Sequence, residues 1–273
     1  MDWSLVLASQ DIPHLIASPD EAGNWSLQIS SADTSRSSLA IRQYETENRA
    51  RPWQQHYFEG RIVFDWVALV WAAALIAIHA ASESHLLLKK SGVMHGVDVS
   101  RGEWWRLITA TQLHADWGHL ASNLSIGVIL LGLVMGRWGT AMGMLAALLA
   151  GIGGNIGNWL IQPTQLSLGA SGVVMGCIGL LAVQPLGASQ PKLRIWTGVL
   201  GSASGATMLF MLLGLDLRAD VLGHAGGFVT GILLAMLLRT FPALNRSRST
   251  NALSGLALAV LVLLAWKMAL AHG

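Results

Sequence analysis

The sequence predicts an all-α polytopic membrane protein that carries a small N-terminal soluble α+β module. Hydrophobic residues make up 53% of the 273 residues and charged residues only 12%, against roughly 25% charged residues in typical globular domains. So few charges could not cover a water-facing surface. The chain also holds 30 glycines, which are commoner in membrane helices than in soluble ones. Beyond residue 61 the uncharged runs are long enough to cross a bilayer.

Composition also argues against several other classes of protein. A formal net charge of +2 is too small to indicate nucleic-acid binding, and the 12 tryptophans suit anchoring at a lipid bilayer interface. The single cysteine, Cys177, excludes an intrachain disulfide framework, and we expect it to be an inert packing residue. The start Met1-Asp2-Trp3 has no basic segment followed by an apolar core, so we expect no cleaved secretory signal.

Residues 1–50 predict the soluble module. The runs "WSLVLAS" (3–9) and "WSLQIS" (25–30) are short β-type segments, with "HLIAS" (14–18) as a third. Asp33 is positioned to cap a helix through residues 34–48. Residues 51–61 mix aromatic and basic side chains, which indicates a linker at the bilayer surface.

The rest of the chain predicts a membrane core at 62–240, then an inner loop and a last helix at 241–273. Charged residues and the "QPTQ" break delimit seven spans, at 66–82, 117–136, 138–161, 171–186, 195–215, 221–238 and 250–267. With the N-terminus in the cytoplasm and the C-terminus outside, most Lys and Arg residues lie in the inner segments, as the positive-inside rule requires.

The fourth span is unusually short. From Ser171 to Pro185 it has 15 residues, about 22 Å of helix at 1.5 Å per residue, whereas the hydrocarbon core is ~30 Å thick. Ser171 should therefore lie below the outer surface. Because irregular backbone at that depth survives only inside protein or beside water, the short helix predicts a wet pocket with Ser171 at its floor.

A histidine on the sixth span could meet this serine. His224 lies in "DVLGHAGGFVTG", where Gly223, Gly227 and Gly231 recur at a spacing of four. The fourth span offers glycines 172 and 176. Such faces let helices approach closely, so the hydroxyl of Ser171 and the imidazole of His224 should come within hydrogen-bonding distance.

The segment "HADWGHLASN" (114–123) supplies further polar groups at the same depth. His119 and Asn123 are four residues apart and share a helix face. They could donate to an oxyanion, together with the N–H of Ser171 at its helix N-terminus. Each piece also has a structural reading: small-residue packing for the serine, and interhelical hydrogen bonding for the histidine and the asparagine.

Four pieces occur in one order: "WWR" (104–106), "HADWGHLASN", "GASG" (169–172) and "GHAGGFVTG" (223–231). Over about residues 60–240 the chain resembles a rhomboid intramembrane serine protease. The resemblance implies a rhomboid-like six-helix core, to which this chain adds one extra helix.

The resemblance also implies roles for individual residues. Ser171 would be the nucleophile and His224 the general base of a Ser–His dyad without an acidic third member. Asp220 is expected at the water surface, a turn from His224, and is not assigned to the dyad. The remaining roles are oxyanion binding by His119, Asn123, Gly169 and Ala170, and support of the site by His114, Trp105, Arg106 and Met175. Many members have an aromatic residue, stacked on the catalytic histidine, in the place of Met175.

These observations predict an intramembrane serine endopeptidase of a bacterial-type plasma membrane, acting through an acyl-enzyme. Its substrates would be transmembrane segments of other proteins, which the resemblance suggests enter between the second and fifth spans. No metal or cofactor is expected, since no H-E-x-x-H motif occurs. The alternatives are a catalytically silent rhomboid-like protein that binds membrane clients, and a small transporter or channel.

Overall fold

A computed structural model describes residues 2–19, 25–48, 63–183, 204–211, 220–241 and 247–272. The chain separates into two compact units, Met1–Arg61 and Ile62–Gly273.

The first unit is a small α+β structure. It contains the helix α1 (Asp2–Ser9), the strands β1 (His14–Ala17) and β2 (Ser26–Ile29), and the helix α2 (Thr34–Asn48). The two strands pair antiparallel, with His14 opposite Ile29. The strands within 14–18 and 25–30 and the helix over 34–48 are thus confirmed.

Two details of the prediction for this unit are wrong. Residues 3–9 form α1 rather than a strand: Leu7 is 1% exposed while Leu5 is 69% exposed, although the two would share one face of a strand. Periodicity does not separate helix from strand in so short a run. The cap before α2 is Ser30, whose side chain accepts a hydrogen bond from the Ala32 N–H (3.3 Å), because one turn of 3-10 helix (Ser31–Asp33) precedes α2.

The second unit is almost wholly helical. Its helices are α3 (Ala68–Ser84), α4 (Leu86–Gly92), α5 (Gly96–Ser100), α6 (Arg106–Thr109), α7 (Trp117–Trp138), α8 (Thr140–Ile161), α9 (Ser171–Ala182), α10 (Val221–Thr240) and α11 (Arg248–His272). Residues 204–211 are also helical. The short strands β3 (Met94–His95) and β4 (Leu166–Ser167) pair antiparallel, which joins the segment before α5 to the segment before α9.

Several of these helices are long and apolar enough to span a membrane. Among the described residues α7, α8, α10 and α11 qualify, and α3 with α4 makes a fifth if this pair, bent by 113°, counts as one span. The chain is therefore a multi-pass membrane protein. Most of the predicted fifth span (195–215) lies outside the described residues, so the count of seven remains a prediction.

Helix α9 is shorter than any of these spans. Its 12 residues correspond to about 18 Å, and it begins at Ser171, where the short fourth span was predicted to begin. At its other end the guanidinium of Arg137 donates a hydrogen bond to the carbonyl oxygen of Val183 (3.2 Å). The C-terminal end of this short helix is thus held by a side chain of α7.

Glycines bring α8, α9 and α10 into backbone contact. A methyl group added to Gly227 would overlap the carbonyl oxygen of Gly172, and one added to Gly231 would overlap that of Gly176. A methyl group on Gly154 of α8 would overlap the carbonyl oxygen of Gly223. The glycine faces predicted on the fourth and sixth spans therefore pack against each other, with α8 behind them.

The last helix, α11, packs on this core and bonds to it at two levels. The side-chain oxygen of Asn251 accepts hydrogen bonds from the N–H groups of Ala141 (3.0 Å) and Met142 (3.1 Å). Gly139, at the N-cap of α8, has no side chain that could cap the helix. Asn251, from a distant part of the chain, supplies the capping oxygen instead. Toward the other end of α11, the indole N–H of Trp266 donates to the side-chain oxygen of Gln112 (3.0 Å).

We predict that Asn251→Ala lowers the free energy of unfolding by about 0.5–2 kcal/mol, the usual cost of losing a helix cap. The reason is that two N–H groups in the first turn of α8 lose their acceptor. Thermal unfolding of the detergent-solubilised protein measures the effect. Ser249→Ala, at an exposed position of the same helix, is the matched control, and equal melting temperatures for the two variants would contradict the prediction.

Candidate active site

One cavity is lined by five of the ten site residues predicted from the sequence. It has a volume of about 490 Å³ and lies between α7, α9, the start of α10 and the segment before α9. Its walls include Ser171, His224, His119, Asn123, Met175 and Asp220. Residues far apart in the sequence therefore meet at a single opening in the described part of the fold.

The chain just before Ser171 is held by two backbone hydrogen bonds. The N–H of Gly169 donates to the carbonyl oxygen of Ala110 (2.9 Å), and the N–H of Ala170 donates to Nε2 of His114 (3.3 Å). Gly169 has a φ of +130°, a backbone conformation that residues other than glycine rarely adopt. These constraints turn the chain into α9 with Ser171 as its first helical residue.

His114 serves this loop as an acceptor, which requires Nε2 to be unprotonated. The side chain is fully buried, and the rings of His79 and His119 lie 6.3 and 5.2 Å from its centroid. Burial, followed by the proximity of His119 and His79, lowers the pKa of His114 to about 4. The imidazole therefore stays neutral, and able to accept from Ala170, at physiological pH.

His119 and Asn123 project from the first turns of α7. Asp116 caps this helix by accepting from the N–H of His119 (2.8 Å), and this hydrogen bond lowers the pKa of Asp116. A β-carbon built on Gly169 would lie 2.9 Å from Nε2 of His119 and 3.6 Å from Nδ2 of Asn123. The absence of a side chain at Gly169 thus keeps open the space that both nitrogens border.

Asn123 is a donor without an internal partner. Its side chain is 7% exposed, and its Nδ2 has no acceptor among the residues that the structure describes. Because a buried donor left unsatisfied is costly, such a group in a native cavity needs an explanation. An anionic or carbonyl oxygen entering the space beside Gly169 would supply the acceptor.

Asp220 is half-buried and lines the cavity, one turn before His224. Its carboxylate accepts from the N–H of Gly223 (2.8 Å), from Nδ2 of Asn158 (2.8 Å) and from the hydroxyl of Ser167 (2.5 Å). Neither Asn158 nor Ser167 was identified from the sequence. A carboxylate one residue before α10 is a recognisable sequence signal for a helix cap. Asn158 and Ser167 come from distant segments, and no local pattern indicates that they bond to Asp220.

Of the predicted supporting residues, Met175 lines the cavity, whereas His114, Trp105 and Arg106 do not. The guanidinium of Arg106 donates to the carbonyl oxygens of Lys90 (3.0 Å) and Val93 (2.7 Å) and pairs with Glu103 (2.6 Å). Trp105 is buried, with its ring 5.1 Å from that of His272 on α11. These contacts hold the parts of the segment between α3 and α7 together and place Trp105 against α11.

The Rhomboid domain, described by a sequence model of that family, matches residues 101–241 of the chain. The chain belongs to the rhomboid family. The matched range begins before Trp105 and Arg106 and includes every residue of the cavity named above. The match spans α6 to α10 and leaves out the N-terminal unit and α11.

Individual relatives agree with this rhomboid membership. The chain is 31% identical over 169 residues to rhomboid protease GluP of Bacillus subtilis, a match that covers 60% of this chain and 32% of the relative. It is 27% identical to the chloroplastic Rhomboid-like protein 11 of Arabidopsis thaliana, covering 54% and 57%. With Rhomboid-like protease 3 of Toxoplasma gondii the identity is 27%, covering 67% and 73%. The chain thus spans about a third of GluP and just over half of the chloroplast relative.

We predict that acid destabilises the protein partly through His114. Its pKa is about 4 when folded and about 6.5 when unfolded, so the unfolded chain binds more protons between these values. Stability from this group is constant above pH 6.5 and falls as the pH drops toward 4.

The test compares melting temperatures at pH 7.5 and pH 5 for the wild type and His114→Gln, whose side-chain oxygen can accept from Ala170 and does not titrate. We expect a smaller acid-induced drop in the variant. Equal drops in the two proteins would contradict the prediction, and His85→Gln, at an exposed position, is the control.

Proposed function

We propose that this rhomboid-family chain is an intramembrane serine endopeptidase, with Ser171 as nucleophile and His224 as general base. The observation that carries the proposal is that one cavity holds the serine and the histidine beside two side-chain nitrogens, those of His119 and Asn123. A serine hydroxyl needs a neighbouring base to react, and an acyl transfer needs donors for the developing oxyanion.

In the proposed reaction His224 takes the proton of the Ser171 hydroxyl as its oxygen attacks the carbonyl carbon of a peptide bond. His119, Asn123 and the N–H of Ser171 stabilise the resulting oxyanion. His224 then donates its proton to the departing amine, which leaves an acyl-enzyme. A water molecule, deprotonated by His224, attacks the ester, and the proton returns to Ser171 as the acid product departs.

The roles within the loop follow from its hydrogen bonds. The N–H groups of Gly169 and Ala170 already have acceptors in Ala110 and His114. We therefore assign these two residues to the shape of the oxyanion site rather than to donation within it. The open space beside Gly169 is where the substrate oxygen would lie.

The proposed substrates are transmembrane segments of other membrane proteins, entering from the lipid between the second and fifth spans. Helix α9 is too short to cross the hydrocarbon core, so the site would sit below one membrane surface. The asymmetry of Lys and Arg residues favours a cytoplasmic N-terminus in a bacterial inner membrane, with the cavity facing the outside.

We predict that Ser171→Ala and His224→Ala each reduce cleavage of a single-span model substrate by at least ~10³-fold, since dyad members act as a unit. The assay uses purified enzyme in detergent or liposomes and separates the products by mass. Ser125→Ala, on an exposed face of α7, is the control and should cleave normally.

Labelling with a serine-reactive fluorophosphonate distinguishes the protease from a rhomboid-like protein that only binds clients. The protease should form an adduct at Ser171 that disappears in His224→Ala. An unlabelled wild-type protein, or cleavage that persists in Ser171→Ala, would refute the proposal.

A further inference from the structure

The carboxylate of Asp220 joins three separate parts of the site. Its Oδ1 accepts from the N–H of Gly223 in the first turn of α10. Its Oδ2 accepts from Asn158 near the end of α8 and from Ser167 in β4. Ser167 is four residues before Ser171, and His224 is four residues after Asp220.

Two of these bonds hold the segments that carry the proposed dyad. The Asp220 carboxylate caps α10 at the N–H of Gly223, and the N–H of His224 donates to the carbonyl oxygen of Asp220 (2.9 Å). These two bonds set where α10 begins and therefore where His224 lies. The Ser167 hydroxyl ties the segment that leads into Ser171 to the same carboxylate. The segments that carry Ser171 and His224 are thus both hydrogen-bonded to the side chain of Asp220.

Asn158 anchors the carboxylate itself. Its side chain is fully buried, and it lies on α8, the helix whose Gly154 meets Gly223. A carboxylate offers about four acceptor positions, and three of them are occupied by Gly223, Asn158 and Ser167. The carboxylate therefore acts as a structural clasp between α8, β4 and α10.

We propose that Asp220 is a positioning residue that sets the distance and angle between Ser171 and His224. The inference rests on the proposed function of the dyad. It predicts that weakening the clasp slows the attack of Ser171 while substrate or inhibitor still enters the cavity, because small displacements of reacting groups reduce rates far more than binding.

The test variant is Asp220→Asn. It retains an oxygen for Gly223 but places an amide N–H₂ opposite the N–H₂ of Asn158, so donor faces donor. We expect the maximal rate of fluorophosphonate labelling to fall by roughly ten- to a hundredfold, with the half-saturating probe concentration unchanged within about twofold.

Asp65→Asn is the matched control. Asp65 likewise accepts from a backbone N–H at a helix start, that of Val67 (3.0 Å), and bridges to a second helix through the hydroxyl of Thr140. It lies at the opposite end of the helices, where its own N–H donates to the carbonyl oxygen of Gly132 on α7 (3.0 Å). We expect a similar loss of melting temperature but a labelling rate within twofold of wild type.

A reciprocal exchange separates positioning from general loss of stability. In Asn158→Asp two carboxylates face each other, and labelling should be slow. In the double variant Asn158→Asp/Asp220→Asn the amide again donates to a carboxylate, and we expect the labelling rate to recover at least severalfold over either single variant.

The inference is overturned if Asp220→Asn labels at the wild-type rate, if Asp65→Asn slows labelling as much at an equal melting temperature, or if the double variant shows no recovery. These results leave the proposed function standing as long as Ser171→Ala is unlabelled. Failure of the wild type to label at all would instead remove the proposed function and this inference with it.

Discussion

The close approach of α9 to α10 is the constraint on which the site depends. Gly172 and Gly176 meet Gly227 and Gly231 with no side chain between the backbones. Within a bilayer no hydrophobic effect drives helices together, so packing of this kind and interhelical hydrogen bonds must hold them. The same contact places the first residue of α9 and the first turn of α10 on one cavity. A methyl group at Gly227 or Gly231 would overlap the backbone of α9 and push the two helices apart.

A second layer of order comes from polar groups that act on the backbone. His114 accepts from Ala170, Ala110 accepts from Gly169, and Asp220 holds both the start of α10 and the segment before the serine. Three different segments therefore shape one short loop. His114 and Asp220 each supply acceptors where the backbone and neighbouring side chains supply donors, so these donors are satisfied away from bulk water.

Local patterns in the sequence predicted much of this arrangement. The uncharged runs located α7, α8 and α10, the glycine spacing predicted the helix contact, and the "GASG" segment predicted a helix that begins at Ser171. The prediction failed where a short run was ambiguous, as in α1, and where two segments distant in sequence share a hydrogen bond. Asn158 and Ser167 looked unremarkable because their common partner, Asp220, lies more than fifty residues further along the chain. The cap on α2 was misplaced because a single 3-10 turn shifts the first free N–H groups by three residues.

The position of Asn251 has a consequence for how the protein is made. The oxygen that completes the first turn of α8 belongs to a residue 110 positions later than Ala141. During synthesis α8 must enter the bilayer with these N–H groups still dependent on water or on the insertion machinery. Only when the last helix emerges and docks does α8 receive its final acceptor. The first turn of α8 is therefore completed by a segment that lies outside the range matched by the Rhomboid domain.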